Sequence, residues 1–271
     1  METITSRNNR TIIECLKLRD KKSRDRTRLF YFEGIKLFRE AVDCGLPLKY
    51  VFFTDNCKEQ ICRLPDGTEA FEVTDSVYEK LSDEKSPQGI FCVAEHIDKL
   101  HKYATIYNNV DLSKKICGSG YFIVNSVRDP GNLGTILRTA LAMGIDSVIM
   151  SDDCADVYNS KTVRAGMGAV FKQPTVRVKD INSYSASMSD DGYKIYAAVL
   201  DDNSIAVSDV KKSGKGVCFA VGNEGHGLPE SFIEACSGNV KIPMEDNCES
   251  MNAAVAASIL MWEQRKINRN I

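Results

Sequence analysis

Two hydrophobic patterns alternate along the chain. Short unbroken runs of β-branched and aromatic residues at 29–32, 50–53 and 89–93, and again near Tyr121, Ser147, Thr175, Lys194, Val217 and Val240, predict strands. Between most of them apolar residues recur every three or four positions, which predicts helices over 8–21, from Ile35 to Gly45, from Thr74 to Leu81 and over 251–266. Strands separated by helices predict an α/β protein whose second half carries a parallel sheet covered on both faces. Ligands of such sheets bind beyond the carboxyl ends of the strands. The stretch 121–144, YFIVNSVRDPGNLGTILRTALAMG, shows the pattern best. A buried strand enters turn chemistry at Asp129-Pro130-Gly131-Asn132, and a helix runs from Leu133 to a stop at Gly144. Both faces of this helix are expected to be buried, with Arg138 as its one charge. A snorkelling arginine and a site residue fit that position equally well.

The length of 271 residues favours two domains. The first half reads as a small α/β domain over 1–100, and the pattern weakens over a linker at 101–118. A second α/β domain then occupies 119–271. A formal net charge of −2 hides a basic first segment. There the polar run KKSRDRTR reads as a mobile connection after the first helix, and Arg19, Lys21, Lys22, Arg24, Arg26 and Arg28 form either a solvated face or a phosphate-contacting patch. Ten cysteines without a CxxC pair read as reduced, buried thiols, and the three histidines join them at no metal-ligand spacing, so no metal is expected. No apolar run has membrane length and no apolar signal core opens the chain. The expectation is therefore a cytoplasmic protein without a membrane partner.

Three loops that follow predicted strands concentrate the chemistry. The first is 125–132. In the second, Gly222, Gly225 and Gly227 let a ligand approach the backbone, and Glu224 sits among them. This loop echoes a dinucleotide-binding turn only weakly, because Leu228-Pro229 intervenes before any helix and no Lys-Ser/Thr follows. The third loop, 243–250, ends at Ser250, whose hydroxyl could cap an alanine-rich helix starting at Met251. Capping accounts for Ser250 and packing for Ala253, Ala254, Ala256 and Ala257, but neither accounts for Asn252 beside them.

Taken in order, DPGNLGTILRTA, VGNEGHGL at 221–228 and IPMEDNCESMNAAVAAS at 242–258 resemble the three motifs of the SpoU (TrmH) family of RNA ribose methyltransferases, within the SPOUT superfamily. The segment 158–169 fits the same pattern, as does the first domain, with Glu33-Gly34 and Pro87-Gln88-Gly89, to a ribosomal-protein-like substrate-binding domain. Met251 stands where the family usually has leucine, and a thioether should fill that apolar role. The resemblance implies an α/β fold whose C-terminal part threads a deep trefoil knot. It also implies a homodimer and S-adenosyl-L-methionine held in the knot by Val221, Gly222, Asn223, Gly225, Gly227, Ile242, Met244 and Met251. By position, Asn132, Arg138, Glu224, Ser250 and Asn252 become the catalytic residues for methylating a ribose 2′-hydroxyl. Arg138 would serve as an electrostatic clamp rather than a base, since a guanidinium keeps its proton. The partner implied is RNA and not DNA, with 23S ribosomal RNA favoured over transfer RNA by the two-domain layout. A non-catalytic ribosome-assembly protein and a dinucleotide-dependent enzyme are the competing readings.

Overall fold

The computed structural model describes residues 2–61, 63–104, 120–223, 225–245, 247 and 250–271. The chain divides into two compact units, Met1–Ile97 with Asp156–Lys172, and Asp98–Ala155 with Gln173–Ile271. The segment 156–172 lies within the second predicted domain but packs with the first unit.

The first unit contains β1 (Glu2–Ile4), α1 (Arg10–Leu16), α2 (Lys21–Thr27), β2 (Leu29–Glu33), α3 (Ile35–Asp43), β3 (Leu48–Phe53), β4 (Glu69–Val73), α4 (Asp75–Leu81) and β5 (Ile90–Glu95). Its five strands lie in the order β1-β4-β3-β5-β2, with β5 antiparallel to both neighbours. The KKSRDRTR stretch, expected as a mobile connection, is instead α2. Asp20 caps it by accepting from Ser23 N at 2.9 Å, and Lys21 pairs with Asp25 one turn on. Arg24 is the reason this polar helix is fixed. Its side chain is buried, donates to the carbonyls of Leu18 and Arg19, and meets Asp156 at 2.7 Å. From the same 156–172 segment, Tyr158 stacks on His96 at 3.9 Å and Phe171 sits 5.0 Å from Phe32. Desolvation is the largest influence on His96 and lowers its pKa to about 4, so the ring is neutral in this apolar stack.

The second unit contains β6 (His101–Ala104), β7 (Tyr121–Val124), α5 (Pro130–Met143) and β8 (Ser147–Ser151). After α6 (Ser160–Gly166), which belongs to the first unit, come β9 (Thr175–Val178), α7 (Ile181–Asp190), β10 (Tyr193–Ala198), β11 (Ile205–Ala206), β12 (Gly216–Val221), α8 (Glu230–Glu234), β13 (Gly238–Lys241) and α9 (Ala253–Arg269). The sheet order is β11-β13-β10-β12-β7-β8-β9-β6, and every pairing is parallel. The six strands expected here are all present. His101–Ala104, expected in the linker, extends the sheet alongside β9, while the rest of that linker lies outside the described residues. Among the described residues no helix is long and apolar enough to cross a membrane.

β7 lies at the centre, buried throughout, but pairs with β12 only at Ile123 with Ala220 and Val124 with Val221. Below that point α9 supplies the missing bonds. Gln264, fully buried, accepts from Phe219 N and donates to Tyr121 O, both at 3.0 Å, and Asn268 exchanges two bonds with the Val217 backbone. Two amide side chains thus anchor α9 where the sheet opens. Gln264→Leu should leave a buried amide and carbonyl unpaired and lower stability by about 2–4 kcal/mol in denaturant titrations. A loss below about 0.5 kcal/mol would show that the anchor contributes little.

Candidate active site

Three loops converge at the carboxyl ends of β7, β10, β12 and β13. In the first, Asp129 accepts from Asn132 N at 2.7 Å and caps α5, so Pro130, Gly131 and Asn132 form the helix's opening turn rather than a turn preceding it. Proline is favoured there because its missing N–H would have no partner. Gly144 ends the helix at φ +69°, as its position predicts. The expectation that both helix faces are buried fails: Thr135, Arg138, Leu141 and Ala142 are exposed. Arg138 therefore stands on a solvent-facing stripe with no ion pair among the described residues.

In the second loop, Asn223 and Gly227 exchange backbone bonds of 3.0 and 2.9 Å and close a small hairpin. The Asn223 Oδ1 accepts from Gly225 N and His226 N inside it, while Nδ2 donates to Ser126 O in the first loop. Gly222 is required by crowding, since a Cβ there would lie 2.2 Å from Gly227 C and 2.5 Å from Leu228 N. Glu224, expected at the tip, lies outside the described residues.

The third loop leads into α9, whose cap is Asn252 and not Ser250. Asn252 Oδ1 accepts from Ala254 N and Val255 N at 2.9 and 3.2 Å, so the helix starts two residues later than its alanine pattern predicts. Its Nδ2 donates to Asn132 Oδ1 at 3.1 Å, which joins two of the expected site residues across the two helix starts. This double use explains the asparagine that capping by Ser250 leaves unexplained.

Between the second and third loops lies a cavity of about 310 Å³, a size usual for small-molecule sites. All eight residues expected to hold a cofactor line it: Val221, Gly222, Asn223, Gly225, Gly227, Ile242, Met244 and Met251; Ser250 does as well. Its walls also include Val199, Leu200 and Leu228, which carry no polar signature that would single them out in sequence, and the small faces of Ala253 and Ala256 on α9. The one lysine in the lining, Lys241, points its amine to Asp201 O at 3.2 Å. A pocket of apolar walls and exposed loop backbone suits an adenosine moiety, whose ring needs desolvated surface and whose edge can bond main-chain groups. Among the described residues no group of three or more His, Cys, Asp or Glu is placed to hold a metal ion.

Sequence reasoning missed a cluster beside this cavity. Asp153 accepts from Ser151 Oγ at 2.7 Å, and from Ser126 Oγ and Arg128 Nη2 at 2.8 Å. Burial opposes its ionisation, but those three donors outweigh it and hold the carboxyl down to about 2.

The model of the SpoU rRNA methylase family matches residues 120–262, and that of the MRM3-like substrate binding domain matches residues 9–92. The chain belongs to the SpoU rRNA methylase family, whose chemistry is methyl transfer from S-adenosyl-L-methionine to RNA. Over 265 residues it is 31% identical to the 23S rRNA (guanosine(2553)-2′-O)-methyltransferase RlmP of Bacillus subtilis, covering 98% of this chain and 100% of that one. It is 29% identical to the mitochondrial rRNA methyltransferase 3 of Xenopus laevis, covering 92% of this chain and 71% of that protein. An AdoMet-bound rRNA methyltransferase from Sinorhizobium meliloti superposes with a TM-score of 0.82 at 29% identity, over 98% of this chain and 97% of that one. These likenesses support the α/β methyltransferase fold and S-adenosyl-L-methionine as cofactor.

Because Gly222 cannot take a side chain without moving Gly227, Gly222→Ala should raise the KM for S-adenosyl-L-methionine at least about tenfold while the far-UV spectrum is kept. An unchanged KM would mean that the hairpin geometry does not shape the pocket.

Proposed function

We propose that this enzyme methylates a ribose 2′-hydroxyl of 23S ribosomal RNA. The observation that carries the reading is the bond between Asn252 and Asn132, which brings the two helix starts together beside the cavity: Met251 and Ala253, on either side of Asn252, both line it. The full-length likeness to a 23S rRNA 2′-O-methyltransferase supports the choice of RNA and of atom.

Bound S-adenosyl-L-methionine supplies an electrophilic methyl on its sulfonium. The protein's part is to place the ribose hydroxyl in line with it and to stabilise the oxygen as its proton leaves, and positioning of this kind supplies much of the acceleration. Asn132 and Asn252, fixed against each other, orient the ribose or the cofactor, and Ser250 does so from the cavity wall. Arg138 clamps a phosphate or the developing alkoxide with a charge that nothing among the described residues neutralises. Glu224 keeps the role that the resemblance gives it, fixing Arg138 or the hairpin.

The first unit is assigned to RNA recruitment, in keeping with its substrate-binding family model. Its basic segment does not act as one patch. Arg24 is withdrawn from the expected RNA-contacting set, because its guanidinium is buried and bound to Asp156 and two carbonyls. Arg19 is held by Asp83 and by the carbonyls of residues 80–82. Lys21, Lys22, Arg26 and Arg28 keep exposed side chains and are the phosphate contacts proposed. Val255 and Trp262, two turns apart on one stripe of α9, are 49% and 50% exposed, an apolar face suited to the homodimer we propose. The knotted threading of the C-terminal part and a cytoplasmic location belong to the same reading.

Labelled methyl transfer to ribosomal RNA and separately to transfer RNA, followed by alkaline digestion, tests the assignment. Label in alkali-resistant dinucleotides from ribosomal RNA is expected; label confined to transfer RNA would overturn the substrate, and cofactor binding without transfer to ribosomal particles would overturn the activity. Arg138→Lys should lower kcat about 100-fold with cofactor affinity kept within about twofold, because an ammonium cannot reproduce the fork of the guanidinium. Near-normal turnover would remove the clamp.

A further inference from the structure

Ser126 is one of four non-glycine residues with positive φ among the described residues, at +58°. A serine held in the left-handed region costs free energy and persists where its surroundings over-determine it. Here they do. Its N–H donates to Ser151 Oγ at 2.8 Å, and its hydroxyl donates to Asp153 Oδ2 at 2.8 Å. Ser151 in turn donates to the other carboxylate oxygen at 2.7 Å, so one carboxylate holds both serines, one on each oxygen. Arg128 closes the remaining side of Oδ2 at 2.8 Å. The result of this backbone twist is the direction of one carbonyl: Ser126 O accepts from Asn223 Nδ2 at 2.9 Å.

That bond decides which way the Asn223 amide faces. With Nδ2 committed to Ser126, Oδ1 must point into the hairpin, where it accepts from Gly225 N at 2.8 Å and His226 N at 3.2 Å. The hairpin forms one wall of the cavity. We propose that Asp153, Ser126 and Asn223 form a positioning relay that sets the glycine hairpin for S-adenosyl-L-methionine, with Asp153 as a positioning residue acting through Ser126. Asp153 touches neither substrate nor cofactor in this scheme. It keeps the strained backbone at Ser126 in place, and the strained backbone keeps the hairpin in register with the end of β7. The relay rests on the reading that the cavity holds the cofactor.

The test uses the full chain and measures cofactor affinity by calorimetry, KM for cofactor and for ribosomal RNA, kcat, and the thermal midpoint. Asp153→Ala should weaken cofactor binding about tenfold and leave the KM for RNA within about twofold. Asn223→Ala should weaken it at least as much, and the double variant should be no weaker than Asn223→Ala alone within about twofold, since both changes break one path. Asp153→Asn, which keeps the shape and an acceptor oxygen, should fall between the natural protein and Asp153→Ala, and it decides the question if the alanine variant does not fold. A lowered thermal midpoint with unchanged cofactor affinity would reduce the cluster to a structural brace and overturn the relay, as would multiplicative effects of the two changes. Absence of cofactor binding by the unaltered chain would overturn the cavity assignment itself, whereas unchanged binding in the variants would overturn the relay alone.

Discussion

The hydrogen bond from Asn252 to Asn132 is the constraint around which the second unit is arranged. One amide has two ends with opposite tasks: Oδ1 satisfies the first free N–H groups of α9, and Nδ2 reaches the first turn of α5. Both helices therefore begin at the same place, and both direct the positive ends of their dipoles there. The two caps differ in charge: α9 is capped by the neutral amide of Asn252, and α5 by the carboxylate of Asp129. What remains is a pair of fixed amides beside the cavity, which Met251 and Ala253 line on either side of Asn252, an arrangement suited to positioning a bound group.

Holding α9 in this place requires an anchor at its far end. Gln264 and Asn268 replace the ladder bonds that β7 and β12 lack, and Arg265 donates to Met143 O at the end of α5. The helix is thus bonded to the sheet at its carboxyl end and to α5 at both ends, while Ala253 and Ala256 line the cavity near its start. A rigid helix with a thin first turn gives space to a ligand without giving up packing. The glycine hairpin opposite follows a different principle. It has few buried side chains of its own and takes its shape from Asn223 and from the close approach of Gly222 to Gly227.

Much of this was legible in the sequence because the elements concerned are periodic or buried on both faces. The central strand at 121–124, its five successors and the stop at Gly144 follow from apolar runs and from glycine's conformational freedom. The three polar loops follow from their place after strands, and the motif order led to the family. The parts that were not legible depend on distant partners. Nothing local says that KKSRDRTR is a helix, because the burial of Arg24 depends on Asp156, 132 positions away. Ser250 and Asn252 are both good caps, and only the position of Asn132 decides between them. Arg138 could not be called exposed from a pattern in which Leu141 counts as core. The Ser126–Asp153 cluster is a set of common polar residues until the ends of β7 and β8 bring it together.

The most direct measurement of the account is a double-mutant cycle on methyl transfer to ribosomal RNA with Asn132→Ala, Asn252→Ala and the pair. If the two amides act as one unit, the pair should lose no more than about threefold beyond the less active single variant, a coupling of at least about 0.7 kcal/mol when each single loss is tenfold or greater. Independent losses that multiply in the pair would contradict the claim that this bond organises the site.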